Sequence, residues 1–526
     1  IDDAFISFRY ARNWAESGVP AYDLGGGLEP VEGYSNFLWV LLLKWCFQIG
    51  LPLEWDARAL SILMGGATVL LLDRVLRRGL GLGPLPAALG TISLAAFPPF
   101  VVWCTGGLET ACFSLLLLAC FALLTRPGAE RERLTGTLAG LCAVCLALVR
   151  VEGFLWVLAV AGCAWLANKM RSETHVGHKR FGSYFVVYLL GFGAFLLWRH
   201  ATYGEWLANT VQAKAGIDGE GVVRGLKTTA SFLLLFPGVL IVLLAAPIAL
   251  RGPENGPARG AALGALGMVV LLLGYNTLVG GDWMPFFRFL APAAPFVALM
   301  LAVVCARLGA RAGVTLTAIC VGLSITPLFG GSLVPRGVRE ALYFRSFQRV
   351  GYQTEWERWE KGVQNLAMFS ALGRGLRQIA QPQDSLTFGA IGAVGYYSRM
   401  RIHDRNGLVD REVALRPTSG AERTAGHDKR VPRAFFLPRS PTLFHAVLVP
   451  GPIGPEGSQS WEQALRVVEQ RVWGQGPGEE PLRGACLPEV HALHADEGIP
   501  QGSSLMVLRA TPDSSRARAF WSRRPR

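Results

Sequence analysis

The chain has 526 residues, 51% of them hydrophobic, and a formal net charge of +13. A soluble globule has an apolar share of about 45 to 50% even with glycine counted, so the composition excludes an ordinary soluble protein and indicates a membrane protein. Lys and Arg fall in short clusters between apolar runs and not along one stripe, which excludes a nucleic-acid partner and marks membrane topology. Of the ten cysteines, nine lie in or beside apolar runs and only Cys486 falls in the polar part. Together with scattered histidines, this predicts neither a disulfide framework nor a zinc site.

Ile1 to Asn36 opens with two adjacent carboxylates, Asp2 and Asp3, and continues with Ala4, Phe8, Ala11 and Ala15 at helical spacing. The spacing predicts a helix lying on a surface. Arg9, Arg12 and Glu16 share one of its faces, and such a face can meet phosphate. Asp2 and Asp3 read equally as a helix N-cap and as acid–base groups. Pro20, Gly25 to Gly27 and Pro30 then break regular structure. The apolar run from Phe37 to Gly50 is short and carries Lys44, which predicts an interfacial helix. A sequence that opens in mid-motif is expected to lack a first transmembrane helix delivering Asp2 to the surface. Residues 1–56 are read as an outer loop with juxtamembrane helices.

Ten spans are predicted at 57–76, 84–103, 108–125, 134–150, 151–167, 182–199, 229–250, 261–278, 289–306 and 312–330, giving a membrane domain over 57–333. Basic clusters alternate between them, beginning with Arg74, Arg77 and Arg78 and ending with Arg307 and Arg311. By the positive-inside rule these face the cytoplasm. The distinctive loops WCTGGLET, RVEG, RHATYGEWLANTVQAKAG and YNTLVGGDWMPFFRF then share the opposite side with the N-terminal segment. Charged groups beside spans are functional candidates by default, here Glu109, Arg150, Glu152, Asp282 and Arg288. Glu109, Arg150 and Glu152 also read as an ion-pair set bracing loops against helices. Arg288, after Gly280, Gly281 and Pro285, suits a phosphate fork. Lys214, beyond Asn209 and Thr210, is a second cation for that task or a snorkelling interfacial lysine.

From about Val334 the composition becomes mixed, predicting a soluble α/β domain over 334–510. Ser385 to Ala390, Leu443 to Val449 and Ser504 to Arg509 read as strands, and Trp461 to Val472 as an amphipathic helix. Gly389, Gly392 and Gly395 do not make a dinucleotide fingerprint, so no nucleotide cofactor is expected. RIHDRNGLVD, with His403, Asp404 and Asp410, reads either as a sugar contact or as a turn. Residues 511–526 are basic and Ser/Pro-containing, and are expected to be a disordered tail.

Taken together, DDAFISFRYARN, PVEGYSNFLW, WCTGGLET, RVEG, YGEWLANT and GGDWMPFFRF resemble bacterial membrane glycosyltransferases of the GT-C fold, whose best-known relatives are the terminal β-(1→2)-arabinofuranosyltransferases. The similarity extends more weakly into GAIGAVGYYSRMRIHDRNGLVD. It implies a polytopic helical membrane protein in the bacterial inner membrane with an extracytoplasmic C-terminal α/β domain. It also implies a polyprenyl-phosphate sugar donor, an acceptor glycan or glycolipid of the cell envelope, and Asp2 as catalytic base with Asp3 as helper. Under that reading Arg9, Arg12, Lys214 and Arg288 hold the donor phosphate. Glu109, Glu152, Asn209, Asp282, His403 and Asp404 are the substrate-contact candidates.

The chemistry has its own logic. Polyprenyl phosphate is a good leaving group already at the membrane surface, so the enzyme must deprotonate an acceptor hydroxyl and stabilise the departing phosphate. One base and no covalent intermediate predict inversion at the anomeric carbon. Two adjacent carboxylates without further clustered acids make a poor divalent-cation site, so no metal is expected. A polyprenyl-lipid flippase is the competing class, but its ionisable groups would sit near the bilayer midplane within inverted repeats. Transfer to protein hydroxyls is a third reading.

Overall fold

The computed structural model describes residues 1–24, 29–128, 131–170, 177–213, 219–251, 256–342, 353–417, 429–475 and 477–524. Among them six helices are long and apolar enough to cross a bilayer: Leu53–Gly79, Glu132–Val149, His178–Tyr203, Pro257–Leu278, Ala291–Leu308 and Ala310–Phe329. The protein is a multi-pass membrane protein. Every one of the ten predicted spans has a helical counterpart, but four are not straight spans of full length. Pro84–Ala95 and Pro98–Thr105 meet at a bend of 55°, and Gly219–Leu235 and Pro237–Leu244 at 90°. Both breaks have the same cause. Phe97 and Phe236 precede prolines and leave the helical region, at ψ 113° and 67°, because the proline ring crowds the residue before it. Thr110–Leu124 and Gly153–Lys169 are short apolar helices of 15 and 17 residues.

The N-terminal helix, Ala4–Ser17, ends at Gly18 in the left-handed region, φ 77°. It does not lie on a surface with one open charged face: every residue from Ala4 to Asn13 is buried. It packs between the short helix Phe37–Gln48 and the helix Gly392–Ser398 from the C-terminal half. The two halves therefore share one apolar core, which runs from Phe5 and Phe8 through Trp103 to Leu372, Leu376 and Val394.

The C-terminal half begins with a 25-residue helix, Glu355–Ile379, started by a capping box in which Thr354 and Glu357 satisfy each other's backbone N–H groups. Five strands follow: β1 Ser385–Phe388, β2 Arg401–Asp404, β3 Leu443–Val449, β4 Cys486–Ala492 and β5 Ser504–Ala510. They form one mixed sheet of order β2-β1-β3-β5-β4, with β1 parallel to β2 and β3 and the other pairs antiparallel. Alternation along β5 divides its side chains between two layers. Leu505 and Val507 join the shared core, while Met506 and Leu508 join a second cluster with Trp461, Leu465 and Trp521.

Trp521 corrects the expectation of a disordered tail. Ser514–Ser522 is a helix whose Asp513 side chain caps it by accepting from the Arg516 N–H. Its Trp521 is 2% exposed and donates its indole N–H to the Cys486 carbonyl at 2.8 Å. The basic residues of that segment face outward, and Ala517 and Trp521, one turn apart, face the sheet.

Candidate functional site

Three elements meet at Gly107. It sits at φ +74°, where a side chain is strained, and a Cβ there would lie 3.7 Å from Ala57, 3.9 Å from Ala4 and 4.0 Å from Phe8. Next to Ala4 stands Asp3, next to Ala57 stands Arg58, and two residues beyond Gly107 is Glu109. The start of the N-terminal helix, the start of the first long span and the WCTGGLET loop thus form one junction.

Asp2 and Asp3 differ in their use of hydrogen bonds. Asp2 Oδ1 accepts from the Ala393 N–H at 2.8 Å. Burial pushes its carboxyl up to about 6, the Ala393 N–H opposes this, and Asp3 adds to it. Only glycine permits this approach at position 392, because a Cβ there would fall 2.1 Å from the Asp2 carbonyl oxygen. Asp3 occupies the N-cap position, but its backbone is already helical at φ −58°, ψ −26°, and its side chain makes no capping bond. An N-cap side chain needs the extended backbone that Asp3 lacks. The capping interpretation therefore fails for Asp3, whose carboxylate makes no hydrogen bond among the described residues.

Behind the junction lies a buried ionic cluster. Ser7 bonds Asn36, and Asn36 Nδ2 donates to Glu109 Oε2 at 3.1 Å. Glu109, 2% exposed, also pairs with Arg288 and, at 3.2 Å, with Arg150. Arg150 pairs with Glu152 at 2.6 Å and lies over the Phe289 ring at 4.9 Å. Arg288 Nε donates to the Thr110 hydroxyl at 3.1 Å. Two acids and two bases balance there, and removing one partner would leave a buried charge uncompensated.

The GGDWMPFFRF loop that supplies Arg288 is held tightly. Asp282 accepts from the backbone N–H groups of Met284, at 2.9 Å, and Phe289, at 3.0 Å. Phe286 and Phe287 both have positive φ, 54° and 49°, a conformation that costs about 1–2 kcal/mol for each L-residue. The helix Glu355–Ile379 sustains it: Glu355 accepts from the Phe286 N–H at 2.6 Å, and Arg358 donates to the Trp283 carbonyl at 2.5 Å. Asp282 is thus placed as a loop clamp.

Other expected site residues fall elsewhere. Arg9 does not converge with Arg288. Its guanidinium is spent on the carbonyls of Tyr22, Gly395 and Met400 and on Asp23 at 2.6 Å. Arg12 points to the C-terminal half and donates to the Tyr396 carbonyl at 2.8 Å. Helical spacing correctly put both on one face, but that face meets protein and not donor phosphate. Asn209 Nδ2 donates to the carbonyls of Gly407 and Leu408, each at 2.8 Å. His403 is 3% exposed on β2, lies 3.3 Å from the Ser385 hydroxyl, and is lowered by burial to about 4. Asp404 is fully buried and accepts from the Asn406 and Val409 N–H groups at 2.8 and 3.0 Å. RIHDRNGLVD is therefore a strand and a clamped turn, with neither His403 nor Asp404 open to a sugar. Lys214 lies outside the described residues.

The sequence reading missed Arg58. It is exposed, lies within electrostatic reach of Ile1 beside the acidic pair, and stacks loosely on Trp55 at 5.7 Å. The signal was present in EWDAR at the mouth of the first span, where a charge beside apolar sequence calls for a reason. A second feature invisible from sequence is a small apolar crevice of about 30 Å³ where both broken helices meet, lined by Phe97, Val239, Val242, Val297 and Leu301 among others. Phe97, Phe232, Phe236 and Phe287 form a ring cluster between it and the Arg288 loop. Among the described residues no group of three His, Cys, Asp or Glu side chains could hold a metal ion.

This arrangement of bent and straight spans beneath a C-terminal α/β layer is a GT-C membrane fold. ArnT from Cupriavidus metallidurans shares it: its apo structure aligns with TM-score 0.55 and 14% identity over 76% of this chain and 80% of that one. The ArnT structure bound to undecaprenyl phosphate aligns with TM-score 0.51 over the same shares. The mycobacterial arabinofuranosyltransferase AftD aligns with TM-score 0.51 and 13% identity over 97% of this chain but only 38% of its own length. At such identities the likeness is one of fold. Residues 352–473 match a family described as a domain of unknown function, DUF8728. No curated protein matches the sequence.

Proposed function

We propose that the protein is an inverting membrane glycosyltransferase. It moves a sugar, arabinofuranose by resemblance, from a polyprenyl-phosphate donor to a cell-envelope glycan or glycolipid on the extracytoplasmic side. The junction at Gly107 carries this reading. It brings a carboxyl with a raised affinity for protons and a second, unspent carboxylate beside Arg58 and the Glu109–Arg288 cluster, in a fold shared with a structure bound to undecaprenyl phosphate.

In this mechanism Asp2 accepts the proton of the acceptor hydroxyl as its oxygen attacks the anomeric carbon. The bond from that carbon to the donor phosphate oxygen breaks, and polyprenyl phosphate leaves with the electron pair. A base near neutrality is more effective than one at the ordinary carboxylate value. Asp3 orients the acceptor hydroxyl, and Arg58 and Arg288 stabilise charge on the leaving phosphate.

Sidedness is supported by the first long span, where Arg74, Arg77 and Arg78 lie near one end and Arg58 near the other. With the basic end in the cytoplasm the acidic junction is outside. Against a flippase, the crevice at the helix breaks presents no Asp, Glu, Lys, Arg or His side chain among the described residues, whereas transport sites concentrate ionisable groups at such breaks. The test is the double variant Asp2→Asn/Asp3→Asn in lipid nanodiscs. It should bind polyprenyl-phosphoryl arabinofuranose and transfer nothing, and full transfer would refute the assignment.

A further inference from the structure

A second polar feature lies where the N-terminal helix meets the C-terminal half. It is an open basin of about 720 Å³ whose walls carry Arg12, Arg374, Arg377 and Arg399 together with Glu54, Asp496 and Glu497. It is distinct from the junction: Arg12 follows Asp3 by nine residues of helix, about 14 Å at 1.5 Å per residue.

The basin is not merely a solvated surface. Arg12 is 5% exposed, its Nη1 donates to the Tyr396 carbonyl at 2.8 Å, and its Nε has no partner although it is buried. Burial lowers Arg12 to about 10; Arg399 and Arg9 push in the same direction, and Tyr396 and Glu16 oppose them. A buried guanidinium with an unused donor is stable only at a cost that an anion would remove. Arg399 adds a second sign. It ends the helix Gly392–Ser398 at φ 57°, a position where glycine is the ordinary choice.

Acids stand among these arginines, and two of the arginines, Arg374 and Arg399, face one. Glu54 accepts from the Tyr397 hydroxyl at 3.0 Å, and Glu497 pairs with Arg374 at 3.2 Å. Asp496 accepts from the Glu497 backbone N–H at 2.8 Å. Glu16 sits 3.5 Å from Arg399 on the exposed rim. Arg377 is exposed and has no acidic partner among the described residues.

We propose that this basin binds a phosphate- or carboxylate-bearing segment of the acceptor glycan, away from the point of transfer. The claim rests on the glycosyltransferase reading for the word acceptor, but the binding can be measured without transfer. Guanidinium forks match such oxyanions in geometry as well as charge, and an anchor there would hold a long glycan while its end reaches Asp2.

The experiment uses the full chain in nanodiscs of neutral lipid, with pentamannose 6-phosphate as probe and unphosphorylated mannopentaose as control. The phosphorylated probe should bind at least ten-fold more tightly than the control. Arg377→Gln/Arg399→Gln, which alters only exposed side chains, should abolish that difference and leave thermal unfolding unchanged. Equal binding of the two probes, or a preference that survives the double variant, would overturn the proposal. So would displacement of the probe by phosphatidylglycerol added to the disc, since the basin would then belong to a lipid headgroup. Absence of transferase activity leaves this binding measurement standing, so the two claims fail separately.

Discussion

The opening Asp2–Asp3 pair and the segment from His403 to Asp410 look alike in sequence, each a short stretch carrying two acids, and burial pushes both Asp2 and Asp404 up to about 6, yet they differ in how their acids are held. At the junction Asp2 accepts from the Ala393 N–H, with a weaker pull from the Gly392 N–H, and the Asp3 side chain makes no capping bond. In the second segment Asp404 accepts two backbone N–H groups, Asp410 caps the helix Arg411–Leu415, and His403 is buried on a strand. Residue type does not separate a reactive acid from a structural one. The distinction is whether backbone geometry has already used its lone pairs.

Substitutions that remove one charge from each region sharpen this contrast. Asp2→Asn should lower transfer by about 10²–10⁴-fold, the usual worth of a general base, without lowering the unfolding temperature. The sign follows from linkage. The folded carboxyl holds its proton up to about 6 while the unfolded one releases it near 3.8, so its charged form opposes folding increasingly as pH rises through that window and fully above it. An amide removes that opposition and can still accept the Ala393 N–H, so a scanning calorimeter should show an unchanged or higher midpoint at pH 7.

Glu109→Gln should act on both stability and rate. It strands Arg288 in a buried site while Arg150 keeps Glu152, a change typically costing about 3–5 kcal/mol, and denaturation of the detergent-solubilised variant would reveal it. Asp404→Asn should cost about 1–3 kcal/mol by leaving a backbone N–H without its acceptor, while the protein that remains folded transfers at the parental rate. A rate loss in Asp404→Asn larger than its loss of folded protein would erase the contrast between the two regions. The smallest effect is expected for Arg58→Gln, a rise of about ten-fold in donor KM, equivalent to about 1.4 kcal/mol, with little change in stability because the side chain is exposed.

Much of the membrane half was legible because apolar run length reports spans directly. Proline positions 98 and 237 were equally visible, yet an apolar run containing proline reads as one span until the break is seen. The site was only half legible. Glu109 and Arg288 pair with each other, and the helix that follows Asp2 and Asp3 packs on Gly107, whereas Arg9 and Arg12 were assigned to donor phosphate and meet the C-terminal half. Periodicity specifies a shared face and is silent on what that face touches. GAIGAVG shows the same limit: its Gly392 and Gly395 admit Asp2 and the Tyr22 hydroxyl at close range, a contact across nearly four hundred residues that no local pattern encodes. The C-terminal helix was hidden by its basic composition, although Asp513, Ala517 and Trp521 carried a cap and an apolar stripe.

The central claim is tested most directly by product stereochemistry as a function of pH. Polyprenyl-phosphoryl arabinofuranose of known anomeric configuration is supplied with an acceptor glycan, and the new linkage is read by nuclear magnetic resonance while kcat/KM is followed from pH 5 to 8. The account predicts an inverted linkage and a rate that falls below about pH 6 as Asp2 takes up its proton, with that limb absent from Asp2→Asn. A retained configuration, or an undiminished profile in Asp2→Asn, would contradict it.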